Sequence, residues 1–180
     1  MREISSGFVK VPDLSLCASD SLHAAVFDRA TLLAHVLDGF ALRRKGPHGP
    51  SHWARVRLNA LQVGKVRKAD LLVVELFAFL HDSQRMSEGQ DPGHGALGAE
   101  FARSLNHKYF ELTSSQLDKL CEAIRFHSDG YVHDDATIQS CWDGDRMDLG
   151  RVGIKPSLKY LPTEAAPFLY AAYKRSCFPV

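Results

Sequence analysis

The chain has 180 residues, which is enough for one domain to bury a hydrophobic core without crosslinks. Its hydrophobic fraction of 45%, charged fraction of 24% and net charge of +1 give no global reason to expect a nucleic-acid or membrane-surface partner. The longest apolar stretch, near residues 69–80, is far shorter than the roughly 20 residues of a membrane span, and no signal peptide is evident, so a soluble, cytoplasmic protein is predicted.

Apolar residues recur at helical spacing through the first half of the chain, and cap-type residues mark where helices begin. A first helix is expected from Ser19 or Asp20. A second is expected from His52 to about Val66, with Ser51 as its N-cap. The third, from about Ala69 to His81, is apolar on almost every face, which predicts a place at the centre of a bundle.

The second half of the chain contains four further predicted helices. Their expected positions are from Asp91-Pro92 to about Leu105, from Thr113 or Ser114 along an apolar face that ends in His127, from about Ala136 to Trp142, and near Glu164 to Lys174. No strand alternation, repeat or low-complexity linker is evident. The predicted fold class is therefore all-α, a single-domain helical bundle.

Histidine is frequent, with nine residues, and imidazole is the commonest side-chain metal ligand. Several histidines and aspartates lie at predicted helix ends beside apolar surface: His52, His81, Asp82, His94, His127, and Asp143 and Asp145 after Trp142. In a bundle of antiparallel helices such ends can meet at one mouth. Mixed histidine and aspartate sites suit borderline and hard divalent ions, so the pattern predicts a metal site.

The dipeptide His-Asp occurs twice, and the two copies have different contexts. His81-Asp82 closes the apolar third helix, whereas His133-Asp134 has no apolar run before it and no histidine after it. A single polar residue at a helix end is most often solvated or a cap. We therefore interpret the second copy as a loop with a helix cap, and only the first as part of a site.

The order His52, then His81-Asp82, then an aspartate in the stretch Gly144 to Asp148 resembles the HD-domain superfamily of metal-dependent phosphohydrolases. The resemblance covers about residues 48–153 and matches the family at three separated points. It implies one HD-like domain over residues 1–180, with the metal-site core at 48–153 and a helical tail at 154–180.

The resemblance also implies a set of metal ligands. The family's ligand positions correspond to His52, His81, Asp82 and Asp145. His94 and His127 match two further histidines that bind a second metal in some members and contact the substrate phosphate in others. One or two divalent ions per chain are implied, with Mn, Mg, Co, Ni, Fe and Zn not distinguished.

The implied activity is hydrolysis of a small phosphorylated metabolite by attack of a metal-bound water on phosphorus, with a nucleotide as the favoured substrate. Asp82, His94 and His127 are the expected catalytic residues. Phosphomonoesterase, phosphodiesterase and pyrophosphatase activities remain open, as does the oligomeric state. The glycine-tyrosine-proline extension of cyclic-di-GMP phosphodiesterases is absent, which argues against that substrate.

A phosphate substrate needs cationic neighbours, and three are candidates. Arg85 follows Asp82 by three residues, Arg55 lies one turn after His52, and Lys155 approaches from the tail. His48 lies in a glycine- and proline-rich turn, where surface exposure is expected and a substrate contact is the alternative.

Two other functions remain open on the same residues. A di-iron oxygenase of the myo-inositol oxygenase type also uses four histidines and two aspartates. A non-catalytic nucleotide sensor is the third hypothesis, although a binding module has less reason to retain a full ligand set.

Overall fold

Six α-helices account for most of the chain that the structure, a computed structural model, describes: residues 27–161, together with Phe168 and Ala172. They are α1 (Arg29–Asp38), α2 (Pro50–Arg67), α3 (Leu71–Leu80), α4 (His94–Leu105), α5 (Ser114–Phe126) and α6 (Ala136–Arg146), followed by 3₁₀ helices at Leu149–Val152 and Leu158–Tyr160. These described residues contain no β-strand, which confirms the all-α prediction. No helix among them has both the length and the apolar character that a bilayer span requires.

Helix α3 forms the centre of the bundle, as predicted. All residues from Leu72 to Leu80 are buried, and the helix packs against α1, α2, α5 and α6. Asp70 caps its N terminus by accepting two backbone N–H groups. Its single charged residue, Glu75, is neutralised by Arg29, whose guanidinium donates two hydrogen bonds of 2.7 and 3.0 Å.

Helix α1 begins later than predicted. Asp28 is its N-cap, with extended backbone (φ −83°, ψ 104°) and a carboxylate that accepts the N–H groups of Ala30 and Thr31. The prediction of one continuous helix from Ser19 or Asp20 through this position is therefore wrong. The predicted cap residues Ser19 and Asp20 lie outside the described residues.

Two other helix starts differ from prediction for local reasons. Helix α2 begins at Pro50, so Ser51 lies inside the helix; proline suits the first turn because its missing N–H would have no partner there. Helix α4 begins at His94, because the carboxylate of Asp91 accepts hydrogen bonds from the preceding loop and does not cap the helix. This carboxylate accepts the backbone N–H of Met86 at 2.7 Å.

Helix α5 begins after Thr113 as predicted, with a capping box. Helix α6 continues past Trp142 for about another turn, so Asp143 and Asp145 lie inside the helix rather than after it. The last predicted helix, near residues 164–174, lies outside the described residues except for two positions.

Gly144 explains why the predicted end of α6 was too early. Glycine is a usual signal for a helix end, but here it permits a close approach between helices. A Cβ at this position would lie 2.8 Å from the backbone nitrogen of Ala60 in α2. Asn59 bridges the same contact by donating to the Gly144 carbonyl at 3.3 Å. The contact brings the last turn of α6 onto α2.

Substitution of Gly144 with alanine is expected to destabilise the protein by about 3 kcal/mol, the upper part of the range for overpacking, because the obstructing atoms are backbone. Gly39→Ala is the matched control, since a Cβ there meets no atom within 4 Å. Denaturant unfolding of both variants tests this expectation. Equal unfolding free energies for the two would show that α2 and α6 do not pack this closely.

Candidate metal centre

Histidines and aspartates from five helix ends meet at one place in the bundle. They are His52 in the first turn of α2, His81 and Asp82 after α3, His94 at the start of α4, His127 after α5 and Asp145 in the last turn of α6. Their side chains are between 0% and 13% exposed. The six residues that the sequence predicted for a metal site are thus brought together.

The first group of ligand atoms comes from α2, the end of α3 and α6. The Nε2 atoms of His52 and His81 lie 3.1 Å apart, and Asp82 Oδ2 lies 3.4 Å from each. Asp145 Oδ1 lies 3.3 Å from His52 Nε2 and 3.9 Å from His81 Nε2. Both carboxylates therefore lie beside the same pair of imidazoles.

The second group shares Asp82 with the first. The Nε2 atoms of His94 and His127 lie 3.0 Å apart, and Asp82 Oδ1 lies 3.5 Å from each. One carboxylate thus presents one oxygen to each pair of histidines. His52, His81 and Asp82 of the first group, and the three residues of the second, each place their ligand atoms within 4.8 Å of one another, close enough to hold a metal ion.

The four imidazole rings are fixed by contacts on their far sides. His52 Nδ1 donates to Asp148 Oδ2 at 2.7 Å, and His127 Nδ1 donates to the Ile124 carbonyl at 2.7 Å. The Nδ1 atoms of His81 and His94 likewise donate to backbone carbonyls. Because each Nδ1 carries the proton used in these bonds, each Nε2 can offer its lone pair to a cation.

Two orphaned oxygens show that the donor set fits a divalent cation. Asp82 Oδ1 and Asp145 Oδ1 are buried and have no hydrogen-bond partner in the described part of the chain. Buried carboxylate oxygens without partners are costly, and a cation between them and the imidazoles would satisfy both. Nitrogen and oxygen donors together suit borderline divalent ions rather than soft ones.

The electrostatics of the centre favour ionised carboxylates. Burial alone would raise the pKa of Asp82, but the close approach of His81 and the neighbouring imidazoles holds it well below its usual value. The close approach of His52 likewise overcomes burial and lowers the pKa of Asp145. Burial opposes protonation of His52, yet hydrogen bonds to surrounding carboxylates raise its pKa to about 9. Ligation of a cation by His52 therefore displaces a proton.

Asp148 is a part of the centre that sequence reasoning missed. It is fully buried, accepts a hydrogen bond from His52 Nδ1, and binds Arg55 through two hydrogen bonds of 2.7 and 3.1 Å. Its position three residues after Asp145, just past the end of α6, was the available signal. Because the guanidinium of Arg55 is hydrogen-bonded to Asp148, the predicted contact of Arg55 with substrate phosphate is not supported.

Asp143, the other aspartate considered at this helix end, lies outside the centre. It is buried, 2.7 Å from Arg67, and accepts a hydrogen bond from Gln139 at 2.7 Å. Burial raises the pKa of Asp143 to about 6 against the charge of Arg67. Asp143 therefore contributes to packing between α2 and α6.

A cavity of about 410 Å³ opens onto the centre. Its lining includes Asp82, His127 and Asp145 of the centre and three arginines, Arg85, Arg146 and Arg151. Leu149, Val152 and Tyr160 also line it. Its size is in the range of small-molecule sites, and its charge suits an anion.

The predicted cations are placed differently from one another. Arg85 lies at the centre, with Nη1 3.6 Å from Asp82 Oδ1 and 3.2 Å from His94 Nε2. Lys155 is exposed and is not among the lining residues. The expectation that His48 is exposed is wrong: it is 8% exposed, lines the cavity, and its Nδ1 lies 2.6 Å from Glu88.

The second His-Asp dipeptide lies outside the centre, as predicted. His133 is half-buried in a loop beside Glu122, and Asp134 is exposed. The helix cap is the next residue, Asp135, which accepts the N–H groups at the start of α6.

No family model matches the sequence, and no curated protein matches it. Among solved structures, the chain is similar to the crystal structure of a predicted HD superfamily hydrolase from an uncultured Thermotogales bacterium. The two are 27% identical, the match covers 88% of this chain and 92% of that one, and the TM-score is 0.65. The structural match and the buried histidine and aspartate cluster support assignment of the chain to the HD superfamily and, in general terms, a metal-dependent hydrolase.

Proposed function

We propose that this protein is a divalent-metal-dependent phosphohydrolase that acts on a small phosphorylated metabolite, with a nucleotide as the favoured class. The observation that carries the proposal is the position of Asp82. Its two oxygens face two histidine pairs, and the centre opens onto a cavity lined by arginines. A metal centre alone is consistent with several chemistries, but adjacent guanidinium groups favour a phosphate ester.

A divalent ion held by these ligands supplies Lewis acidity, which activates water as a nucleophile and offsets charge on the phosphoryl group. The chain's own residues supply the geometry. Asp82 is ionised and directed into the centre, so its carboxylate can accept a hydrogen bond from the attacking water and orient it. Arg85 is held by the carbonyls of Ser87 and Gly89, which fixes its remaining nitrogen near the centre.

His94 and His127 have two roles in this proposal, and Arg85 bears on both. Arg85 Nη1 donates to His94 Nε2 at 3.2 Å. A positive charge at this distance opposes a second cation, because like charges repel strongly in a buried site. We therefore expect the group of His52, His81, Asp82 and Asp145 to hold an ion more tightly. His94 and His127 would then bind a weaker second ion or contact the phosphate.

The cavity wall supports an organic group on the substrate. Leu149, Val152 and Tyr160 add apolar and aromatic surface to its lining. An aromatic ring such as that of Tyr160 can pack against a nucleobase, but also against other flat groups. If the substrate is a nucleotide, phosphate release from nucleotides with different bases will show the base preference.

One experiment tests the proposal against its alternatives. Bound metals are measured in the purified protein, and phosphate release is screened over nucleotides and other phosphorylated metabolites with Mn²⁺, Mg²⁺, Co²⁺ or Ni²⁺. We expect metal-dependent phosphate release. Two irons per chain with oxygen consumption and no phosphate release would instead identify an oxygenase. Nucleotide binding without turnover under any metal would identify a sensor.

A further inference from the structure

Arg151 lies in the wall of the cavity and has no role in the function proposed so far. It belongs to the 3₁₀ helix Leu149–Val152, and its side chain is 9% exposed. Its Nη1 lies 3.9 Å from Asp145 Oδ1. The guanidinium therefore borders the first group of ligand atoms, as that of Arg85 borders the second.

Two backbone carbonyls fix the guanidinium of Arg151. Nε donates to the Pro47 carbonyl at 2.9 Å, and Nη1 donates to the Asp148 carbonyl at 3.2 Å. Nη2 donates to no acceptor among the described residues. The carboxylate oxygens of Asp145 and Asp148 lie 3.9 and 4.0 Å from the guanidinium, beyond hydrogen-bonding distance, so the carbonyls hold the group in place and one nitrogen is left for a ligand.

Two other arginines near the cavity, Arg55 and Arg146, differ from Arg151 in the groups that their guanidinium groups contact. Arg55 is bound on two nitrogens by the carboxylate of Asp148. Arg146 donates to the carbonyls of Tyr131 and Tyr160, and its guanidinium lies 5.4 Å from the ring of Trp142. Arg85 is likewise anchored by two backbone carbonyls, and its remaining nitrogen, Nη1, lies 3.6 Å from Asp82 Oδ1 and 3.2 Å from His94 Nε2.

We propose that Arg151 is a second phosphate-binding residue, and that Arg85 and Arg151 together select a terminal phosphate group over a phosphodiester. The proposal rests on the phosphohydrolase function. A terminal phosphate has three non-bridging oxygens and up to two negative charges, so it can contact a cation and two guanidinium groups at once. A diester has only two such oxygens and one charge, and it would leave one buried guanidinium without a partner.

Binding of inorganic phosphate to the Mn²⁺-loaded protein tests this role without turnover. We expect Arg151→Gln to weaken phosphate binding by about 10- to 100-fold, the size expected for a lost hydrogen bond to a charged group. Its Mn²⁺ affinity should stay within a few-fold of wild type. Arg103→Gln is the matched control, because Arg103 is 49% exposed and 3.8 Å from Asp118. Equal phosphate affinity in Arg151→Gln and Arg103→Gln would overturn the inference.

Selectivity is tested with p-nitrophenyl phosphate and bis(p-nitrophenyl) phosphate. Arg151→Gln should lose much more kcat/KM on the monoester than on the diester. Equal losses on the two would reject selection of a terminal phosphate. Absence of phosphate release by the wild type over the whole panel would instead reject the phosphohydrolase function itself, so the two failures are distinguishable.

A measurement on the wild type covers the case in which Arg151→Gln does not fold. Arginine modification by phenylglyoxal is mapped by mass spectrometry with Mn²⁺, in the presence and absence of inorganic phosphate. We expect phosphate to protect Arg151 and Arg85 but not Arg103. Modification of Arg151 that is unchanged by phosphate would overturn the proposal.

Discussion

Replacement of Asp82 by alanine is expected to abolish metal-dependent phosphate release, with a loss on the order of 10³-fold or more. The reason is that Asp82 is the one side chain of the centre whose two oxygens face both histidine pairs. Metal binding should weaken at both groups, which equilibrium dialysis with Mn²⁺ measures. The fold should persist, because the substitution removes a buried oxygen, Oδ1, that has no hydrogen-bond partner among the described residues.

Asp134→Ala is the matched control for this experiment. Asp134 also follows a histidine, but it is exposed and lies outside the centre. The Asp134→Ala variant should bind Mn²⁺ and release phosphate as the wild type does. Wild-type Mn²⁺ binding by Asp82→Ala would contradict the proposed centre, since the remaining histidines would then be sufficient ligands.

The ligand positions could be predicted because they follow from local patterns at helix ends. The apolar run of α3 requires burial on all sides, and a buried helix places the residues that follow it at a fixed position. His81 and Asp82 are those residues, and His52, His94 and His127 lie at the ends of neighbouring helices. In each case the hydrophobic period shows where the helix ends, and the ligand lies within about one turn of that point.

Contacts between distant parts of the chain could not be predicted in this way. Asp148 orients His52, which is 96 positions earlier, and Arg151 donates to Pro47, which is 104 positions earlier. Both contacts depend on how closely α6 packs on α2. Hydrophobic periodicity shows which face of a helix is buried but not which atoms of two helices meet. This is why Arg55 was a reasonable phosphate candidate from its spacing, although the structure pairs it with Asp148.

The same limit explains the errors at helix starts. Asp91 and Ser51 are residue types that favour N-caps, and propensity alone cannot exclude them. The carboxylate of Asp91 instead accepts N–H groups of the preceding loop, and the first turn of α2 starts with proline. The observed helix starts differ from the predicted ones by only a few residues. His52 and His94 therefore still lie in the first turn of their helices, as the predicted site requires.

Replacement of Asp148 by alanine is expected to affect stability and metal binding together. The stability should fall by about 3 kcal/mol, near the lower end for a broken buried ion pair, because Arg55 is 18% exposed and can partly rehydrate. The affinity for Mn²⁺ should fall by about 10- to 100-fold, since His52 loses the carboxylate that fixes its ring and tautomer. Denaturant unfolding and equilibrium dialysis measure the two effects separately.

Asp143→Ala separates the orienting role of Asp148 from a general effect of losing a buried carboxylate. Asp143 is also fully buried and also pairs with an arginine of α2, but it contacts no ligand of the centre. The Asp143→Ala substitution should therefore lower the unfolding free energy and leave the Mn²⁺ affinity within a few-fold of wild type. If both variants weaken Mn²⁺ binding equally, the loss reflects disturbed packing of α6 on α2. If only Asp148→Ala weakens it, the hydrogen bond to His52 Nδ1 is what sustains the affinity of the centre.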